Sequence, residues 1–404
     1  MKRSACLLLS ALIIPFCIAF TGCSINVTQP KEERADTINL SRLAYADSAI
    51  DAAIADRQIP GAVLCIVEGD DIKYLKAYGY KEIVPDSIPM TTNTVFDLAS
   101  LSKCVGTTLS FMQLLEEGKV RLSDPVKMYI PGFKPWYDVE KKDSVDITIE
   151  DLMTHTSGII PYINVDKFIA RYGTGCPDSL IKYIATEAPR RFRPKTGYLY
   201  SCLNFITLQR ILENVTGEKL CDYAQKHVFD VLDLKNTYYC PTPDKFGQIA
   251  PATYENGKLL LGEVHDPTAR IINLGNSGNA GVFSSAEDMA VIARAIMDGG
   301  EWKGKRILGK ETVKAMCTVP ENVHKFGRTL GWDAWSTSAS QPGDILTDRT
   351  QCICHTGYTG TSMVIDFKHR IAIILLTNRV HPDDSGSCSR VRALVANIVE
   401  GALE

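Results

Sequence analysis

Residues 96–108 read FDLASLSKCVGTT. They place Ser100 three residues before Lys103, in a stretch whose other members are mostly apolar. The pattern predicts a helix that starts near Ser100 and runs to about Glu117, where Gly118 stops it. Residues at i and i+3 share a helix face, so the hydroxyl and the amine come within reach of each other. Phe96, Leu98, Ala99, Leu101, Val105, Leu109 and Phe111 should bury the segment. A buried lysine at the positive end of a helix is doubly discouraged from holding its proton. A neutral amine beside a hydroxyl is a general base beside a nucleophile. The bland reading is a serine cap with a lysine that reaches along the surface to water. Taken alone, the pair favours that bland reading. The chain also carries a second copy of the spacing, Ser179-Leu180-Ile181-Lys182, which follows Pro177-Asp178 and has mixed neighbours. There a cap and a solvated lysine are expected.

Working outward, both chain ends offer a helix and a hairpin. Residues 39–57 read as an amphipathic helix with Leu43, Ile50 and Ile54 on one stripe, broken by Pro60-Gly61. Residues 62–80 read as two strands around Gly69-Asp70-Asp71. Near the other end TSMVIDF and IAIILLTNRV flank Lys368-His369-Arg370 as a second hairpin. Residues 389–402 form a last helix with Val391, Leu394, Val395 and Ile398 as its apolar face. The economical arrangement is an α+β fold: one antiparallel sheet built from both ends, with the terminal helices on one face. Residues 126–270 differ, with many Pro, Tyr and polar loops and helical pieces at 149–154, 178–187 and 203–215. The expected division is residues 39–125 and 271–404 for the sheet domain, and 126–270 for a mostly helical insertion domain.

The chain has 404 residues, 45% of them hydrophobic and 23% charged, with a net charge of −3, which excludes disorder and offers no basic block for nucleic acid. Lys2 and Arg3 precede an apolar run at residues 5–20 that is short for a membrane span and contains Pro15. Residues 1–22 therefore read as a signal peptide. Phe20-Thr21-Gly22-Cys23 resembles a bacterial lipobox, with Phe20 where Leu is usual, so Cys23 is the expected lipidation site. A polar tether over residues 23–38 would follow, on an exported lipoprotein anchored to a membrane through its lipid and facing the periplasm or the cell surface. A plain cleaved signal peptide is the alternative. Two of the 13 cysteines lie in this leader and a third is Cys23; the other ten form no CxxC pair. Cys352 and Cys354 alternate as on a strand and share a face. The scattered cysteines read as small buried hydrophobes, with some disulfides open to an exported protein.

Five segments raise the first Ser-x-x-Lys pair above the second: FDLASLSK, DLMTHTSGI (151–159), YLYSCLNF (198–205), GNAGVFSSAEDMA (278–290) and HTGYTG (355–360), in this order. Together they resemble the serine β-lactamase and D-alanyl-D-alanine peptidase superfamily in its class C-like branch. That branch also holds esterases, D-amino-acid amidases and a statin side-chain acyltransferase. The resemblance covers roughly residues 40–400 and implies a β-lactamase/transpeptidase-like fold. It implies that Ser100 is the nucleophile, that Lys103 takes or relays its proton, and that Tyr200 shuttles a proton between nucleophile, lysine and leaving group. A phenol has a reference pKa of about 10, so this role needs a nearby cation, and Lys103 and Tyr200 would titrate as a coupled pair. His355-Thr356-Gly357 matches the third motif, with His355 in a catalytic role and Thr356 and Gly357 against the substrate, just before the strand TSMVIDF. Gly357 would leave room for a substrate to lie along the backbone. The N–H groups of Ser100 and Tyr358 would form the oxyanion hole by analogy.

One departure bears on substrate. Relatives that cleave β-lactams or peptides usually carry Tyr-Ser-Asn, whose carboxamide binds the substrate amide. Here the triplet is Tyr200-Ser201-Cys202, and a thiol is a poor substitute. Asn204 should point away from the Cys202 direction. This favours ester chemistry, while His355 looks more like the peptidases. Lys195-Thr196-Gly197, Tyr162-Ile163-Asn164 and Tyr254-Glu255-Asn256 spell family motifs but sit in loops. His265-Asp266 resembles a family segment that lines the cleft, and reads either as a structural hydrogen-bonded pair or as a substrate contact; His155 reads as a helix cap or brace, and Cys104 as core. No GxSxG, HExxH or glycine-rich phosphate loop occurs, and no metal or other cofactor is implied. The first expectation is a serine acyl-enzyme hydrolase of an ester, a D-amino-acid amide or a peptide. The second is an acyltransferase passing the acyl group to an alcohol such as a sterol-like hydroxyl. The third is a non-catalytic penicillin-binding-like lipoprotein. The partners are a small-molecule acyl donor, an alcohol acceptor in the second case, and the membrane.

Overall fold

The computed structural model describes residues 37–337 and 341–404. The expected signal peptide, Cys23 and most of the tether lie outside the described residues. The last two tether positions belong to the fold instead. Thr37 and Glu404 exchange backbone hydrogen bonds at 3.1 Å, and Ile38, which is buried, bridges to Leu403.

The apolar runs at both chain ends meet in the central sheet. Strand β1 (Gly61–Glu68) turns at Gly69, φ +55°, into β2 (Asp71–Glu82). Near the C-terminus β3 (Cys352–Thr356), β4 (Ser362–Asp366) and β5 (Ile371–Thr377) follow one another. The antiparallel order is β3-β4-β5-β1-β2, closed by the short strand Ile88–Pro89. The two ends join where β1 pairs with β5, from Ala62 opposite Thr377 to Glu68 opposite Ile371. Both strands are buried along almost their whole length, because helices cover both faces.

Alternation sorts the side chains of β1. Ala62, Leu64 and Ile66 face the terminal helices α1 (Ala44–Ala55) and α5 (Ser389–Glu400), where they join Leu43, Ile50, Val391, Val395 and Val399 in one core. The buried face of α5 is Val391, Val395, Ala396 and Val399, not the expected stripe: Leu394 and Ile398 are half-exposed. Steps of four residues hold one face better than the mixed spacing read from the sequence. Cys352 and Cys354 belong to this same core, on one face as expected.

Val63, Cys65 and Val67 face the other way, toward α4 (Ala286–Met297) and the middle of the chain. The helices Ile149–Met153, Pro177–Thr186 and α3 (Cys202–Thr216) form where the sequence placed helical pieces. They share one apolar core with this inner sheet face. The ten described cysteines are all free thiols, five of them buried. Among the described residues no helix is long and apolar enough to cross a membrane.

Candidate active site

Ser100 sits at the start of a helical run wound unevenly. Ala99–Leu101 is one tight 3-10 turn, Lys103–Thr108 is a wide π-helical turn, and α2 (Leu109–Glu116) follows, with Gly118 at φ +70° just beyond it. Such irregular turns are frequent at functional sites. The entry is held by Asp97, whose buried carboxylate accepts from the Ala99 N–H at 2.8 Å and the His265 N–H at 2.7 Å. Ala99, next to the serine, takes a left-handed φ of +46°, a strain that surrounding contacts must maintain.

Lys103 is fully buried and its Nζ donates to Ser100 Oγ at 2.9 Å and to the Asn279 carbonyl at 2.8 Å. It also lies over the Tyr200 ring, 5.0 Å from the centroid, and 5.9 Å from that of Phe205. Burial pulls its pKa down, but Cys202 and Tyr200 outweigh burial and hold it above the ordinary lysine value. Two carbonyl or hydroxyl acceptors and two aromatic faces stand where burial removes water from the amine.

Tyr200 is half-buried and its hydroxyl is enclosed, with no hydrogen-bond partner of ordinary length among the described residues. Burial raises the phenol pKa, and the Lys103 charge opposes that rise. The loop that carries Tyr200 is pinned from below. Ser201 donates through its N–H to Nδ1 of His155 at 3.0 Å and through Oγ to the Ile160 carbonyl at 2.7 Å. The His155 ring lies 4.3 Å from the Tyr200 ring, so this histidine braces the tyrosine loop rather than capping a helix. Asn204 is buried and accepts from Ser157 Oγ at 2.7 Å, away from the cleft.

His355 and Thr356 end the edge strand β3; the motif lies on the edge strand itself, and TSMVIDF supplies the second strand. His355 Nδ1 faces the Thr356 carbonyl at 2.9 Å. A carbonyl can only accept, so Nδ1 carries the proton and Nε2 the lone pair. Nε2 has no partner among the described residues, and the ring lies 6.0 Å from that of Tyr200. Burial, with the Arg328 and Lys103 charges, holds His355 well below the usual histidine range. His155 is lowered in the same way by burial, Arg328 and Lys103.

The N–H groups of Ser100 and Tyr358 donate to nothing within the described residues. The Tyr358 carbonyl is tied to Arg379 Nε at 2.8 Å, and the Gly357 carbonyl to Arg392 Nη2 at 2.8 Å, which fixes the turn that presents Tyr358. A Cβ on Gly357 would stand 2.2 Å from the Leu98 carbonyl oxygen and 2.2 Å from Thr361 Oγ1, so its missing side chain lets β3 dock on the Ser100 segment.

A cleft of about 570 Å³ opens over these groups, lined by Ser100, Tyr200, His355, Thr356, Gly357 and Tyr358. Arg328, Arg379 and Arg392 also line it, with Asp333 beside Arg328. Sequence reasoning missed these cations. Arg328 is almost fully buried; its Nη1 donates to Asp333 at 2.9 Å, while Nε and Nη2 have no partner among the described residues. Cys202 is not part of the cleft lining. Its thiol, raised by burial, lies against Lys103 and the Asn279 side chain, whose Nδ2 has no partner among the described residues. His265 stacks on Tyr358 at 5.4 Å, and Asp266 accepts from the Ala269 N–H at 2.8 Å, a structural pair. Cys104 is core. The three look-alike motifs lie away from the cleft: Lys195 pairs with Glu150 at 2.6 Å, Asn164 caps the helix Val165–Tyr172, and Asn256-Gly257 turns a two-residue hairpin.

A sequence model described as Beta-lactamase matches residues 46–397. The chain is 30% identical over 384 residues to an N-acetylmuramyl-L-alanine amidase of Bacillus subtilis, covering 88% of this chain and 86% of that protein. Its fold is similar to that of EstCE1, a hydrolase with promiscuous acyltransferase activity, at TM-score 0.72 and 22% identity, over 90% of this chain and 99% of the other. It is also similar to simvastatin synthase from Aspergillus terreus, at TM-score 0.65 and 18% identity, over 89% and 98%.

Proposed function

The chain belongs to the β-lactamase family, and from that premise we propose that it cleaves a polar ester or amide through an acyl-enzyme on Ser100. The observation that carries this reading is the 2.9 Å bond from Lys103 Nζ to Ser100 Oγ at the floor of the cleft, with the enclosed Tyr200 hydroxyl beside it. Ser100 Oγ attacks the acyl carbon. Its proton goes to Tyr200 in the phenolate form, which the Lys103 ammonium stabilises. The oxyanion takes hydrogen bonds from the Ser100 and Tyr358 amides. Tyr200 then protonates the leaving group, and His355 Nε2 accepts a hydrogen bond from the tyrosine or the leaving group. Water, deprotonated by the same route, releases the acyl group and restores Ser100. The competent form has one proton fewer than the resting pair, so kcat/KM rises with pH through an ionisation that belongs to Lys103 and Tyr200 together.

The arginine-lined wall favours a polar or anionic substrate over an apolar alcohol acceptor. That ranks hydrolysis above acyl transfer, although the fold is shared with proteins named for both. Thr356 and Gly357 would lie along the substrate, and Cys202 would act through Lys103 rather than by contact. As part of the same reading the protein is exported and held at a membrane through a lipid on Cys23, on the strength of Lys2, Arg3 and the apolar run before Cys23. Intact mass after exposure to a p-nitrophenyl acyl ester, and separately to benzylpenicillin, tests the chemistry. A Ser100-dependent adduct or turnover with the ester is expected. No adduct and no turnover with either donor would move weight to a non-catalytic lipoprotein. A lipid-sized mass increment on Cys23 in protein purified from membranes tests the anchor.

A further inference from the structure

The outer end of the sheet holds a group of side chains with no part in the reaction described above. Asp366 ends β4, His369 lies in the turn to β5, and Glu400 ends α5. One ligand atom from each lies within 4.8 Å of the others. The three line a hollow of about 290 Å³ that opens to solvent between the β4–β5 turn and the C-terminal helix. In β4, Ser362 stands opposite Thr356 of the catalytic strand and Asp366 stands opposite Cys352. Four strand steps, about 13 Å, therefore separate this hollow from the catalytic end.

Asp366 is 1% exposed and contacts the His369 ring through Oδ2, while its Oδ1 accepts from the Lys368 N–H at 2.9 Å. Glu400 is only 7% exposed, and its Oε1 has no hydrogen-bond partner among the described residues. Burying a carboxylate oxygen without a partner is costly, and a second buried carboxylate beside it adds repulsion. A positive centre between Glu400 and the Asp366–His369 pair would satisfy Glu400 Oε1.

We propose that Asp366, His369 and Glu400 bind a first-row divalent cation of the zinc type, which ties the C-terminal end of α5 to the β4–β5 turn. Two carboxylates and one imidazole are the donor set such ions accept, at about 2.0–2.2 Å for each, with the remaining positions filled by water from the hollow. Entry of the ion draws the three ligand atoms, which lie within 4.8 Å of one another, closer together around it. The sequence hides the site, because Glu400 lies 31 residues after His369 and only the sheet-to-helix packing brings them together.

The test uses the purified full chain, freed of metal with EDTA and titrated calorimetrically with ZnCl₂, with MgCl₂ as control. One zinc equivalent should bind with a Kd of about a micromolar or less, and a hundredfold excess over Kd should raise the unfolding midpoint by several degrees. Glu400→Gln and His369→Ala should each weaken binding by at least about tenfold while ester turnover by Ser100 stays unchanged. No stoichiometric zinc in the wild-type protein overturns the proposal. So does zinc binding that both variants retain, or that is lost only on changing His355. If Glu400→Gln does not fold, the half-exposed His369→Ala and the wild-type titration still decide.

Discussion

The molecule carries the same four-residue spacing twice, and only one copy opens on the cleft. Ser100 and Lys103 lie at the floor of a cleft, with the lysine fully buried and bonded to the serine. Ser179 and Lys182 lie in the first turns of the helix Pro177–Thr186, with the serine half-buried and the lysine exposed. Spacing gives both pairs reach, since i and i+3 share a helix face. What differs is everything contributed from far along the chain. Asn279 accepts from Lys103 across 176 positions, and Tyr200 covers it with a ring. The surface copy has no such cover, and Lys182 is exposed. Reach is local, and reactivity is a property of the tertiary surroundings.

The largest expected effect breaks the comparison at the nucleophile. Ser100→Ala should lower acyl-ester turnover on the order of 10⁴-fold or more and remove the mass adduct. Ser179→Ala should leave turnover within about twofold. Equal losses in the two variants would mean that spacing alone, and not the cleft, creates the activity. Next come the lysines. Lys103→Ala should cost about 10²–10⁴-fold in kcat/KM, the range for losing a positioned proton-transfer group. Lys182→Ala should change neither rate nor fold. Tyr200→Phe should resemble Lys103→Ala and add little to it, since the two share one proton. Independent, additive losses would break the coupled-pair account.

These expectations show which parts of the site could be read in advance. The hairpins and terminal helices were legible because β1 and β5 are continuous apolar runs bounded by turn residues, and both are buried on both faces. Ser100, Tyr200 and His355 were legible through the order of short motifs. The surroundings of Lys103 were not, because its second acceptor comes from the Asn279 loop and its cover from the Tyr200 ring. Arg328 was missed for the same reason. In FGRTLGWD it looks like a surface residue, yet Asp333 five positions later takes it into the interior. An Arg and an Asp flanking a buried Trp332 is the one signal that pointed there. The close approach of the Leu98 carbonyl to Gly357 was not legible either, because the two lie 259 positions apart.

A smaller effect sharpens the comparison by changing substrate preference rather than rate. Cys202 lies against Lys103 and Asn279 without lining the cleft. Cys202→Asn would return a carboxamide beside the lysine, where peptide-cleaving relatives carry one. One added charge-neutral hydrogen bond to a substrate amide is worth about 1 kcal/mol, or several-fold in rate. The ratio of amide to ester turnover should therefore rise about fivefold to tenfold, with ester turnover little changed. Asn279→Ala in the same background should reduce the gain. A ratio that does not move would show that amide recognition is set by the arginine wall instead.

The smallest effect concerns stability and separates the two copies by what lies under them. Beneath Ser100 and Lys103 are two buried histidines, His155 and His355, both held well below the usual range by burial and by the Arg328 and Lys103 charges. In the unfolded chain each has a pKa near 6.5. Below that pH the unfolded state binds more protons than the folded one, so stability falls as pH falls. From pH 7.5 to 5.5 each histidine should remove about 1.4 kcal/mol, roughly 3 kcal/mol for both. Buried carboxyls such as Asp97 and Asp151, which burial raises, act in the opposite direction, stabilising as pH falls. The informative quantity is thus a difference between proteins. Urea unfolding of the wild type and of His355→Gln at the two pH values should show the variant losing about half of the histidine contribution. A variant with an unchanged pH dependence would mean that His355 takes up its proton in the folded cleft. The neutral Nε2 acceptor would then have to be given up, together with its part in the proton path to Tyr200.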